Sequence, residues 1–174
     1  TALVNASTIK SIQDIMRKDV GVDGDAQRIG QLVWMVFLKI FDDREYEWEA
    51  LEPGYASPMP AELRWRSWAA NSEGITGYEL LDFVNGRLFP TLKELAQTSS
   101  DPRAEVVGSV FEDAYNYMKS GTLLRQVVNK IESDLDFNKS QDRHTFGDLY
   151  EQFLRDLQSA GNAGEYYTPR AVTE

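Results

Sequence analysis

The chain has 174 residues, 42 % of them apolar, with a net charge of −10 and a pI near 4.6. That balance can build the core of one domain, with or without a lead-in to another. It excludes a grip on nucleic acid by the surface as a whole, while contact made through an assembly with basic partners stays open. With no cysteine and a single histidine, His144, disulfide frameworks, thiolate metal sites and zinc sites built on several imidazoles drop out. No window reaches the roughly 20 apolar residues of a membrane span. The N-terminus lacks the basic-then-apolar order of a secretory signal, so a soluble cytoplasmic protein is expected.

Ser7 or Thr8 can cap a first helix running to about Asp19, with Ile9, Ile12, Ile15 and Met16 on one face. Residues 20–24 stop it, with glycine where a helix end wants left-handed geometry. Asp23 or Asp25 can cap the longest helix, 25–50, whose middle, 29–41, is apolar nearly all round and is therefore expected at the centre. Three prolines within 52–60 make a surface loop. A short helix over 61–70 follows, then a turn at 71–74. Thr76 caps a segment in which Tyr78, Leu81, Leu88, Leu92 and Leu95 share a face, either as one bent helix through Asn85-Gly86 and Pro90 or as two short ones. Asp101 at N-cap and Pro102 at N1 restart the chain, and Val106, Val107, Val110, Phe111, Ala114, Tyr115 and Met118 continue a helical pattern. Ser120-Gly121 separates this from a helix with Leu123, Leu124, Val127, Val128 and Ile131. Thr145 opens a last helix that ends at Ser159-Ala160-Gly161. No segment sustains period-two alternation, so the expected fold is all-α, an irregular bundle of about seven helices.

Several constellations have a structural reading beside a functional one. The acidic run Asp42, Asp43, Glu45, Glu47, Glu49 and Glu52 is read as a solvated helix end rather than a metal or catalytic site, since no histidine or calcium-type loop accompanies it. Asp19 to Asp25 resembles a calcium loop in passing, but its twelfth position is Gly30, so capping is assigned. His144 stands before a helix start and is read as a cap or surface residue rather than a base. Trp34, Trp48, Trp65 and Trp68 are read as packing. In Arg64-Trp65-Arg66 with Trp68, basic and aromatic groups interleave; the alternatives are contact with a partner or nucleic acid, or packing beside a negative neighbour.

The tail differs in kind. Residues 160–164 form a loop, Tyr166 and Tyr167 are adjacent aromatics, and Thr168-Pro169 is an N-cap followed by N1. A helix N-terminus exposes backbone donors and partial positive charge, suited to a carboxylate or phosphate. The chain ends just as this element begins, so a front piece of a longer protein is expected.

Here the sequence resembles a family. Phe146-Gly147-Asp148-Leu149-Tyr150-Glu151-Gln152-Phe153-Leu154, followed by Gly164-Glu165-Tyr166-Tyr167-Thr168-Pro169, is similar to the junction before the catalytic domain in the modification (methyltransferase) subunit of type I restriction-modification systems. Gln31 to Asp43 resembles that family's N-terminal helix, and the resemblance runs in order over nearly the whole chain. It implies an adenine-N6 DNA methyltransferase using S-adenosylmethionine. It also implies work beside a specificity subunit and, for cleavage, a restriction subunit, with DNA met through the assembly and no membrane. It divides the chain into an N-terminal helical domain, 1–161, and the start of a Rossmann-like methyltransferase domain, 162–174. Tyr166, Tyr167 and Thr168 would border the cofactor, with Glu165 supporting the turn. Ala163 departs from the glycine many relatives carry. The family's glycine-rich cofactor loop and Asn-Pro-Pro-aromatic segment are not in the chain, which has no Asn-Pro dipeptide at all. Without the amide and carbonyl that hold the target amine of a flipped adenine, the chain alone is expected to be inactive and not to bind the cofactor firmly. The alternatives are an unrelated helical adaptor and a stand-alone nucleic-acid binder.

Overall fold

The computed structural model describes residues 6–137, 151–152 and 154–155, and these form an all-α arrangement. Helix α1 (Ala6–Met16) leads to α2 (Gly24–Leu51); a 3-10 turn (Ala61–Leu63) precedes α3 (Trp65–Trp68). Then come α4 (Gly77–Phe83), a π-turn (Val84–Leu88), α5 (Phe89–Lys93) and α6 (Leu95–Thr98), and finally α7 (Pro102–Asp113) and α8 (Gly121–Asp134). Counting α4, the π-turn and α5 as one continuous run makes seven helices among the described residues. No described helix is long and apolar enough to cross a membrane.

Helix α2 lies at the centre because its sequence leaves no polar face over 29–41, and every side chain in that stretch but Gly30 is buried. Trp34 and Phe37 project from it into rings supplied by other elements, while Phe41 packs on Phe37 and Trp48 of α2 itself. Trp34 meets Phe89 edge-on at 4.9 Å, and Phe89 meets Phe111 at 5.0 Å. Edge-to-face aromatic pairs add about 0.5–1.5 kcal/mol each beyond the area they bury. Helix α8 packs against α1, α2 and α4, while α7 packs against α5 and α6.

Sequence and structure part in four places. The glycines after α1 do two different jobs: Gly24 holds the left-handed backbone (φ +83°) at the start of α2. Gly21 instead admits a close approach, since a Cβ there would sit 2.1 Å from the Tyr117 carbonyl oxygen. Asp23 does take the N-cap position of α2, but with no side-chain cap bond; its N–H donates to Gln27 Oε1 at 2.7 Å. Tyr78, expected on the inner face with Leu81, is 86 % exposed, and the buried row is Leu80, Val84, Leu88 and Leu92. The π-turn lies directly before Pro90: the Phe89 N–H donates to the Val84 oxygen, a wider closure than the α-helical one. Proline has no N–H for the regular ladder, and the widened turn carries the run into it. The fourth difference is the end of α7. Its pattern predicts helix through Met118, but helix stops at Asp113 and residues 114–120 run without helix over α2.

The capping signals at Asp101 and Ser120 act as the sequence implies. Asp101 accepts from the Arg103 N–H at 2.9 Å with Pro102 in the first turn, and Ser120 accepts from the Leu123 N–H at 3.1 Å. Of the last helix expected from the sequence, 145–161, residues 151–152 and 154–155 are described; they are helical, and Leu154 is buried.

Candidate functional site

The C-terminal half of α2 carries dense charge, and its stretch 42–45 is buried rather than solvated. Asp42, Asp43, Arg44 and Glu45 are all buried, Glu45 completely. A buried carboxylate persists only when paired and hydrogen-bonded, and each of these three is. Arg66 Nε donates to Asp42 at 2.8 Å. Lys39 Nζ lies 3.3 Å from Asp43 and 3.1 Å from Glu132 of α8, while Asp43 also accepts the Phe137 N–H at 3.0 Å. Glu45 accepts from Tyr55 Oη at 2.7 Å and from Arg64 Nε at 3.3 Å. The solvated-end reading of the acidic run is thus corrected for these residues: loop 52–60 folds back with the Tyr55 hydroxyl, the segment entering α3 brings Arg64 and Arg66, and Lys39 of α2 itself pairs with Asp43. The same contacts settle Arg64-Trp65-Arg66 as packing beside a negative neighbour, with Trp65 and Trp68 in the core.

Electrostatics follow the burial. Burial pushes the Asp43 carboxyl up, more than the Lys39 ammonium and the Phe137 N–H pull it down. Burial lowers Lys39, but the carboxylates of Asp43 and Glu132 outweigh it and hold the ammonium above the ordinary lysine range. Burial and its bond to Glu45 drive the Tyr55 hydroxyl well above the usual tyrosine range. Arginines also stack on aromatic faces here: Arg66 lies 3.8 Å from the Tyr46 ring centre and Arg103 lies 4.2 Å from that of Trp48. This end of α2 is a stiff structural platform in which the described carboxylates are occupied rather than poised for chemistry.

A second polar assembly fixes the arm 114–120. Asp19, buried, accepts backbone N–H groups from Gly21 (2.8 Å), Lys119 (3.0 Å) and Ser120 (2.9 Å). That is capping, as assigned from the sequence, but it reaches 100 residues along the chain. Gln31, wholly buried in α2, accepts the Tyr117 N–H at 2.7 Å and donates to Asn116 Oδ1 at 2.9 Å. Asn116 in turn donates to Asn85 Oδ1 in the π-turn at 3.0 Å. These side chains take the backbone groups that helix would otherwise have used, which is why α7 ends early. Arg125 of α8 ties the far side, donating to the carbonyl oxygens of Trp68, Ala69, Asn71 and Ile75; burial lowers its pKa. Sequence reading missed Gln31, Asn85, Asn116 and Arg125. A lone glutamine inside an otherwise apolar helix was the one available signal.

Among the described residues no three His, Asp or Glu side chains gather as a metal site. The residues read from the sequence as cofactor-bordering, Glu165, Tyr166, Tyr167 and Thr168, lie outside the described residues, as does His144.

Residues 5–131 match the family described as the HsdM N-terminal domain, a range that takes in α1 to α7 and most of α8. The chain belongs to that family. Residues 141–174 match a second family, N-6 DNA Methylase. Over 169 residues the chain is 67 % identical to the type I restriction enzyme EcoEI methylase subunit of Escherichia coli, covering 97 % of this chain and 34 % of that protein. It therefore spans about a third of the length of this curated relative. Its fold is similar to a modification subunit of a type I restriction enzyme from Vibrio vulnificus YJ016, with a TM-score of 0.74 and 39 % identity over 98 % of this chain and 39 % of that one. A structure concerned with complex assembly and conformational transition of the type I R-M system is similar at a TM-score of 0.68 and 36 % identity, covering 95 % of this chain and 33 % of that one. The HsdM N-terminal domain match in this chain is thus followed, from residue 141, by methylase-type sequence.

Proposed function

We propose that this chain is the N-terminal part of the modification subunit of a type I restriction-modification enzyme, a site-specific adenine-N6 DNA methyltransferase. Its helical domain mediates assembly with the specificity subunit and closes over DNA. The observation that carries this reading is the succession of an HsdM N-terminal domain match and an N-6 DNA Methylase match within one chain. An unrelated helical adaptor would not be expected to carry that order, nor 67 % identity to a methylase subunit along 97 % of its length.

In this reading the methyltransferase domain begins near residue 162, although the methylase family match starts earlier, at 141. S-adenosylmethionine supplies the methyl group in the whole enzyme. Glu165, Tyr166, Tyr167 and Thr168 would border it, a role that the resemblance of this segment to the family supports. The charge of −10 fits a module that does not adhere to phosphates alone, leaving closure to be driven by the specificity subunit and the cofactor. The assembled enzyme works in the cytoplasm, where a restriction subunit joins it for cleavage.

The test is methyl transfer from labelled S-adenosylmethionine to DNA. The whole modification subunit paired with its specificity subunit is expected to label adenine N6; the 174-residue chain, lacking an Asn-Pro-Pro-aromatic segment, is expected to show only background. Labelling by the short chain, or none by the assembled pair, would overturn this reading.

A further inference from the structure

The chain leaves α8 as an extended strap whose backbone is tied to α2. Helix α8 ends at Asp134, and Leu135 takes extended backbone (φ −114°, ψ 128°). Leu135 and Phe137 are buried, while Asp136 between them is exposed. Both polar backbone groups of Phe137 are engaged by neighbouring residues of α2. Its N–H donates to Asp43 Oδ2 at 3.0 Å, and its carbonyl oxygen accepts from the Arg44 guanidinium at 3.1 Å. Lys39, one turn earlier on α2, holds Glu132 in the last turn of α8 at 3.1 Å.

This attachment is more costly than packing alone would require. Asp43 and Arg44 are both buried, and Arg44 Nε is a buried donor with no acceptor among the described residues. Apolar side chains of similar volume often hold a core as well as a buried charge pair does; what charges and their hydrogen bonds add is one allowed register. The place of the strap in the sequence points the same way. The HsdM N-terminal domain match stops at 131 and the N-6 DNA Methylase match starts at 141, so Phe137 lies in the gap between them. Beyond the gap, Leu154, inside the methylase match, is buried in the same core as Leu135 and Phe137.

We propose that Asp43 and Arg44 are positioning residues: they lock the strap on α2 in one register, so that methylase-type sequence as far as Leu154 moves as one body with the helical domain. The gap between the two family matches is then a weld and not a joint. A free linker there would let the two parts sample many relative orientations. A reaction that needs its target presented in one geometry loses rate steeply when the parts are misplaced by about 1 Å, and a single register removes that spread. The consequence for methyl transfer rests on the function proposed above; the weld itself does not.

The test uses the whole modification subunit bound to its specificity subunit. Spin-labelled amino acids replace Gln126 on α8 and Arg155, both exposed, and a single narrow distance distribution is expected between them. Asp43→Ala is expected to at least double its width. Asp43→Asn, which keeps an oxygen for the Phe137 N–H, is expected to restore it. At saturating DNA and S-adenosylmethionine the methylation rate is expected to fall at least fivefold in Asp43→Ala, with KM for DNA within twofold, and to return in Asp43→Asn. Arg66→Ala breaks the neighbouring Asp42 pair without touching Phe137, so it controls for lost stability: compared at equal distance below each melting temperature, it is expected to keep the wild-type width and rate. A broad distribution in wild type, a wild-type width in Asp43→Ala, equal broadening in Arg66→Ala or no rescue by Asp43→Asn overturns the weld. Broadening with no loss of rate in an active pair overturns the positioning role. If the distance depends on Asp43 as stated but the wild-type pair methylates no adenine, the weld stands and the methyltransferase reading falls.

Discussion

Two acidic stretches of the same chain meet opposite fates. On α2, Asp42, Asp43 and Glu45 are buried and held by Arg66, Lys39, Arg64 and Tyr55. On α4, Glu79 and Asp82 face outward with no cation beside them among the described residues. In the linear sequence the α2 run looks the more solvated of the two, because it is longer and denser. What reverses the expectation is a long-range event: loop 52–60 and α3 return over the end of α2 and bring Tyr55, Arg64 and Arg66 with them. A carboxylate's surroundings, not the density of its neighbours in sequence, decide whether it is structure or surface.

The contrast can be broken most severely at Glu45. Glu45→Ala leaves the Tyr55 hydroxyl and one guanidinium donor of Arg64 without their acceptor in a partly buried site, where removing one member of the pair costs about 3 kcal/mol, the low end for buried pairs. Asp82→Ala on α4 should stay within about 0.5 kcal/mol of wild type. Urea unfolding of both variants reads the difference directly, and equal midpoints would mean the α2 network is not what holds that end together. A second contrast sets two glycines side by side. A Cβ on Gly121 would lie 1.8 Å from the Gly77 oxygen, backbone against backbone, so Gly121→Ala must pry α4 from α8 at about 3 kcal/mol. Gly86→Ala meets no neighbour and should gain up to about 1 kcal/mol. Thermal melts of the pair should therefore move in opposite directions.

Asn116→Ala is the next in size. It cuts the amide relay and strands the fully buried Gln31 amide, a loss of about 2 kcal/mol. Hydrogen exchange at the Tyr117 amide should accelerate; protection equal to wild type would show that the arm is held by other means. The smallest effect is at the rim of the α2 platform. Slight burial raises Glu49, but Arg64 and Arg66 outweigh it and hold the carboxyl below its ordinary value. A depressed carboxyl stabilises above its unfolded pKa, about 4.3, and the contribution is lost as pH falls through the lower folded value. Melting temperature against pH for wild type and Glu49→Gln should show a small margin near neutrality that closes below about pH 4. A margin that widened in acid would contradict the pairing.

Helical periodicity, the Asp101-Pro102 restart, the Ser120 cap and the apolar girth of α2 were legible because each is a local or single-element signal. The tail's family resemblance was legible in the same way, as contiguous residues in order. The arm 114–120 was not, since its apolar spacing is helical and only Gln31 and Asp19, some 85 to 100 residues away, unmake the helix. Nor was the outward turn of Tyr78, because the buried row of α4 is registered by contact with α8 rather than by the spacing of apolar letters.

By itself, then, the sequence determined an all-α chain with a central apolar helix and a succession of family segments, since helix propensity, capping and hydrophobic period act over a few residues. Only the tertiary structure decided which charges are internal, where α7 gives way to an extended arm, and which face of α4 looks outward. Those outcomes depend on groups that meet after tens of residues of intervening chain. A hydrogen bond or ion pair at such range leaves no periodic trace along the sequence.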